Sequence, residues 1–243
     1  MRDHTPPAPT RTPRPAPAGW LAPAVLAALV ALPAPAAEAP AAQSEGIDVS
    51  HYSGAVDWEQ VKAAGYTFAY VKATEGIDNP DASFADHWRR LAEVGLHRGA
   101  YHFYVTEDDP EEQARFFLSV AKPGPGDLAP VVDIELIGHG TQPGVAERLR
   151  TFLEVLERET GVRPIVYTSP RFWNANLTAA FGGYPLWLAE YGVDTPSLPE
   201  GWERWTLWQW QGDAPVPGVE KGADLSRLHT EVELEALRIP ESP

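Results

Sequence analysis

Short apolar runs alternate with longer amphipathic stretches along most of the chain. The runs GIDVS at 46–50, TFAYVKA at 67–73, GAYHFY at 99–104, APVVDIE at 129–135 and PIVYT at 164–168 are apolar and, for the most part, rich in β-branched and aromatic residues. That composition predicts buried strands. Between them the apolar residues recur at helical spacing. Asp57 with Gln60 three residues on marks a helix start, and Gly65 its end. Asp81–Val94 reads as an amphipathic helix stopped by Gly95, and Asp109 followed by Pro110 opens the next. Val145–Thr160 is the most regular helix, with Leu149, Phe152, Leu153 and Leu156 on one face and Gly161 behind it. Beyond it helices become short. Three strand-like runs follow, Pro185–Ala189, Thr206–Trp210 and Ala223–Leu225, before a final short helix over Glu231–Leu237.

Repeated strand–helix units demand a parallel sheet with helices packed outside it. Five such units and three further strands supply the eight strands that close a barrel. The expected fold is therefore α/β, a TIM-like barrel of irregular (β/α)5β3 form whose last third has lost most of its helices. Chemistry in such barrels sits at the carboxyl ends of the strands.

Residues 1–43 read differently and are expected to lie outside the fold, which would occupy residues 44–240. They hold ten of the 25 prolines. Arg2, Arg11 and Arg14 precede an apolar run from Trp20 to Ala34 and the small residues Pro35–Ala39. A basic start, a short apolar core and an A-x-A-like exit mark a secretory signal, which predicts a secreted protein. The apolar run falls short of the roughly 20 residues of a membrane span, so no stable membrane insertion is expected after its removal.

Charge and composition narrow the chemistry. The chain carries 19 Lys and Arg against 34 Asp and Glu, a formal net charge of −15. Nucleic-acid binding, which needs basic contacts to phosphate, is not expected. There is no cysteine, so disulfides, thiolate metal sites and cysteine nucleophiles are excluded. No His-x-His or His-Glu-x-x-His spacing is present, so neither a metal nor a cofactor is expected. A monomer is the default expectation.

The polar residues at the strand ends carry the functional signal. In Asp133-Ile134-Glu135 the two acids stand at i and i+2 of a strand, so their side chains leave the same face. Two acids this close do not both ionise cheaply, and a protonated acid beside an ionised one is the equipment for cleaving a glycosidic bond. Asp48 lies inside the apolar first strand, and Asp224 in the last strand, which neighbours the first on closure. Lys72, Thr74 and Glu75 close the second strand, and Tyr101, His102 and Phe103 the third. His102 also fits a hydrogen-bonded core histidine. Eight of nine tryptophans follow residue 43, five of them between Trp187 and Trp210. Tyr167, Trp187, Tyr191 and Trp208 are candidates for stacking on the apolar faces of sugar rings.

The blocks GIDVS, VDWEQVKAAGYTFAYVKATEG, GAYHFY, VVDIE, PIVYTS, PLWLAEY, LWQW and ADLSRL together resemble, in order, those of the family 25 glycoside hydrolases, the Chalaropsis-type lysozymes. The resemblance runs from about Gly46 to Leu237. It implies a β/α barrel that hydrolyses the β-1,4 bond between N-acetylmuramic acid and N-acetylglucosamine, with peptidoglycan glycan strands as partner. It implies Glu135 as the catalytic acid, Asp133 as its partner, and Asp48 and Asp224 as further active-site acids. Asp133 would orient the substrate's 2-acetamido group or stabilise ring charge. Alternatively, Asp48 or Asp224 would act as nucleophile or base. Two other readings stand beside this one, a non-catalytic glycan-binding barrel and a hydrolase of chitin-like glycans.

Overall fold

The computed structural model describes residues 43–138 and 144–241. The predicted leader falls almost wholly on residues 1–42, outside the described residues. The strands are β1 (Glu45–Val49), β2 (Phe68–Glu75), β3 (Asn79–Pro80), β4 (His97–Phe103), β5 (Val131–Asp133), β6 (Ile165–Thr168), β7 (Leu186–Ala189), β8 (Leu207–Ala214) and β9 (Ala223–Leu228). The helices are α1 (Trp58–Ala63), α2 (Phe84–Val94), α3 (Pro110–Ala121), α4 (Val145–Thr160) and α5 (Pro170–Asn176). The sheet order is β1-β9-β8-β7-β6-β5-β4-β2, and β1 pairs with β2 to close an eight-stranded barrel. The two-residue β3 folds back on the end of β2.

The strand–helix rhythm implied a parallel sheet, but the barrel is not wholly parallel. Strand β9 runs antiparallel to both β8 and β1. Only residues 215–222 join β8 to β9. A parallel crossover needs a dozen residues or more, so this connection can only turn back as a hairpin. The reversal places Asp224 directly opposite Asp48 across the β1–β9 ladder.

Alternation along each strand divides the apolar residues into two layers. Ile47, Ala69, Val71, Val132, Val166 and Leu188 face outward and pack with Leu91, Phe117, Phe152 and Leu153 of the helices. Phe68, Tyr70, Val131, Ile165, Tyr167, Trp187, Leu207 and Leu228 face inward and fill the barrel. Each such buried side chain contributes about 1.5–3 kcal/mol. Two glycines admit the large inner rings. A Cβ on Gly46 would lie 2.3 Å from the Phe68 ring, and one on Gly99 2.1 Å from the Tyr70 ring.

Helix α4 has the bounds its periodicity predicts and ends on Gly161 at φ 74°. The second helix starts at Phe84, later than the expected Asp81. Asp81 is drawn away from the helix. One of its oxygens accepts from the Ser83 backbone N–H and hydroxyl, and the other pairs with His51 in the β1–α1 loop. The final helix is a single 3-10 turn, Leu234–Leu237, whose Leu234 and Leu237 plug the lower end of the barrel.

Candidate active site

The inward positions change character toward the carboxyl ends of the strands. Below, they are aromatic and aliphatic. Above, they become Asp48 on β1, Lys72 on β2, Tyr101 and Phe103 on β4, Asp133 on β5 with Glu135 beyond it, Tyr167 on β6, Trp187 on β7, Gln209 on β8 and Asp224 on β9. Together with Ser50, Tyr52 and Val131 they line a cavity of about 210 Å³. A second cavity adjoins it over Asp48, Tyr52 and Asp224 and extends to Asp213 and Lys221 in the β8–β9 hairpin.

The stretch carrying Asp133 and Glu135 is pinned from both sides. The Asp133 carbonyl accepts from Tyr104 N–H at 2.9 Å, and Ile134 N–H donates to the Tyr167 carbonyl at 3.0 Å. The Thr168 hydroxyl donates to the Ile134 carbonyl at 2.9 Å. Ile134 is buried against the helices, so its two neighbours must turn into the barrel. Burial raises the Asp133 carboxyl well above the usual range, and the nearby charges of Glu135 and Asp48 push it further, with Lys72 opposing. Its Oδ1 is buried and makes no hydrogen bond among the described residues. Glu135 is raised by burial and by Asp224, again opposed by Lys72. Asp48 is raised by burial and then by Asp224, and Asp224 by its own burial. Four acids thus share one cavity mouth, each held toward its protonated form, which is the electrostatic signature of a functional cluster.

The sequence model of glycosyl hydrolases family 25 matches residues 47–219, well over half of the chain. The chain belongs to glycosyl hydrolases family 25. Lysozyme M1 of Streptomyces globisporus is 33% identical over 199 residues, covering 76% of this chain and 67% of its own. The N,O-diacetylmuramidase of Chalaropsis sp is 29% identical over 184 residues, covering 68% and 86%. The crystal structure of the bacterial lysozyme from Streptomyces coelicolor matches with a TM-score of 0.72 at 32% identity, over 77% of this chain and 93% of that one. This family 25 enzyme is accordingly a glycoside hydrolase on an irregular α/β barrel.

The family 25 barrel brings together most of the residues singled out in the sequence. Asp48, Asp133, Glu135, Asp224, Lys72, Tyr101, Tyr167 and Trp187 all line the cavity. Trp187 is 2% exposed and forms its floor, with its indole N–H donated to the Ser226 hydroxyl at 3.0 Å. Glu75 stands beside the cavity and accepts from Lys72 Nζ at 2.6 Å. Tyr191 is half-exposed at the rim.

Two expected binding residues point the other way. His102 follows Tyr101 on β4 and faces outward, fully buried. Its Nδ1 pairs with the Thr74 hydroxyl at 2.8 Å, its Nε2 with Gln113 Oε1 at 3.1 Å, and its ring stacks on Phe152. Trp208 likewise faces outward on β8. Its indole N–H donates to the Glu190 carbonyl at 2.8 Å, and the Arg227 guanidinium lies over its ring. Neither lines the cavity. The residue beside Trp208, Gln209, does, and the pattern of alternation from Leu207 was the available signal for it.

Burial pulls the His102 pKa down to about 4, so the ring is neutral in the folded protein at neutral pH. Its unfolded value is near 6.5. Between those values the unfolded chain binds the extra proton, so this contribution to stability is lost as pH falls through that window. The full loss is about 3 kcal/mol. Urea unfolding at pH 7 and pH 4.5 should show His102→Gln losing less stability on acidification than the parent. An equal loss in both proteins would refute the assignment.

Proposed function

We infer that the enzyme cleaves the β-1,4 bond between N-acetylmuramic acid and N-acetylglucosamine in peptidoglycan, acting outside the cytoplasm through a catalytic domain of residues 44–240. The observation that carries this reading is the Asp133–Glu135 pair: two acids turned into one cavity, both raised, one with a buried oxygen lacking a partner. Relatives bearing the names lysozyme and N,O-diacetylmuramidase support the substrate class.

In this reading Glu135 protonates the glycosidic oxygen and later activates water. In the free enzyme a proton is shared between Asp133 and Glu135, since like charges this close resist double ionisation. An N–H from the substrate's 2-acetamido group donates to Asp133 Oδ1. That hydrogen bond favours ionised Asp133 and leaves the proton on Glu135, the acid that must deliver it. The acetamido oxygen then attacks the anomeric carbon, the substrate-assisted variant of glycoside hydrolysis. In their ionised forms Asp48 and Asp224 supply negative charge beside the ring as it becomes cationic.

Mass spectrometry of fragments released from purified peptidoglycan tests the bond. The expected products carry N-acetylmuramic acid at the new reducing end. Products ending in N-acetylglucosamine, or release from chitin with none from peptidoglycan, would overturn the reading.

A further inference from the structure

Gln209 is 1% exposed and sits at the centre of the cavity's hydrogen bonding. Its Nε2 donates to both oxygens of Asp48 at 3.0 Å and reaches Asp224 Oδ2 at 3.4 Å. Its Oε1 accepts from the Tyr167 hydroxyl at 2.9 Å and from the Tyr191 hydroxyl. The carboxamide therefore lies between two phenols and two acids. Its orientation is determined by them, because a flipped amide would set its oxygen against the carboxylate oxygens with no hydrogen between. Burial raises both phenols, so they stay protonated and keep donating.

We propose that Gln209 is the positioning residue of the site: its N–H2 group, aimed by Tyr167 and Tyr191, occupies the space between Asp48 and Asp224 and keeps a proton from bridging them. The proposal rests on the function inferred above and extends it. Asp48 and Asp224 are directly opposed across an antiparallel ladder, the arrangement that brings side chains closest. Two carboxyls so placed would settle into one shared O–H···O⁻ bond. The donated N–H bonds satisfy the same lone pairs without adding a proton, and they oppose the rise that burial and Asp224 impose on Asp48. The other titratable groups facing Asp48 are Glu135 and Asp133 beyond and on β5, Tyr101 on β4, Tyr167 on β6 and Tyr191 after β7, with Asp213 and Lys221 of the β8–β9 hairpin across the adjoining cavity. Apart from Lys221 all are acids or neutral phenols. Lys72 on β2 is the cation lining the same cavity, and its ammonium is bonded to Glu75. Among the described residues lining that cavity, Gln209 alone donates a hydrogen bond to Asp48.

The test compares the parent with Gln209→Glu and Gln209→Leu in peptidoglycan hydrolysis from pH 3 to pH 8. Both variants should lose about 30-fold or more in kcat with KM changed less than about threefold, a loss typical of misplaced acid–base machinery. The acid limb of the profile should move up by about one pH unit, because Asp48 then loses its proton at higher pH. Tyr191→Phe, a rim substitution that leaves the fold intact, should move the limb in the same direction by less. Carbon-13 NMR of the aspartate carboxyls, with Asp48 assigned from Asp48→Asn, should show the same upward titration shift without substrate. A profile merely scaled down, with an unmoved limb and an unmoved Asp48 titration, would overturn the proposal. A parent that fails to cleave peptidoglycan would sink the inferred function instead, while the NMR titration would still decide the role of Gln209.

Discussion

Glu135→Gln is expected to abolish glycan hydrolysis and leave the barrel folded. Glu135 lies past the end of β5 at the cavity mouth, with part of its side chain open to solvent. Its carboxylate enters no side-chain hydrogen bond or ion pair seen among the described residues, so the fold does not depend on its charge. The backbone bonds that hold the stretch belong to Asp133, Ile134 and Thr168 and survive the substitution. Glutamine keeps the shape and loses only the proton that the proposed acid step would deliver. General acid catalysis contributes about 10²–10⁴-fold, so turnover should fall by about 10³-fold or more. The thermal midpoint should stay within a few degrees of the parent. Reducing-end release from peptidoglycan, measured beside circular dichroism melting, checks both halves. Activity within tenfold of the parent would remove Glu135 from the acid role. Loss of activity with loss of fold would show that the residue is structural.

Most of this site is legible in the chain because one rule, the two-residue period of a strand, governs it. Asp133 and Glu135 are visible as a pair for that reason, and Ile134 between them packs on the helices as the rule requires. The same rule separates Tyr101 from His102 and Gln209 from Trp208. Residue type obscured it in both cases. A histidine and a tryptophan at a strand end carry more chemical suggestion than a glutamine, yet parity places them behind the sheet. A shift of register between Lys72 and Thr74 adds to this. It sends Thr74 to the outer side, where its hydroxyl meets His102. Helix bounds were readable where Gly161 or Asp109 fixes an end, and less so at Asp81, whose carboxylate is engaged by a loop 30 residues away. The reversed β9 follows from connection length rather than from composition. Its effect on the site is large, because it sets Asp224 against Asp48.

Asp133→Asn should abolish or nearly abolish activity and at the same time stabilise the protein at neutral pH. Asp133 is 8% exposed, and among the described residues Oδ1 has no partner in a cavity it shares with three other acids. Its folded pKa stands well above the unfolded value, so between the two the folded chain holds the proton more tightly. Stability from this group is fully present below the unfolded pKa and is lost as pH rises through the folded one. At pH 7 the buried acid cluster is therefore a cost that folding bears. An uncharged amide of the same size removes the repulsion with Glu135 and Asp48 and the desolvation of a charge. The gain should be about 1–2 kcal/mol, or a rise in Tm of about 2–6 °C at pH 7. At pH 3, where the parent carboxyl is already neutral, the two proteins should melt together. Scanning calorimetry at both pH values reads this directly. A variant less stable than its parent at pH 7 would mean that Asp133 is held in place by attraction, and one equally stabilised at pH 3 would mean that the gain does not come from removing charge; either result would sink the shared-proton account of the pair.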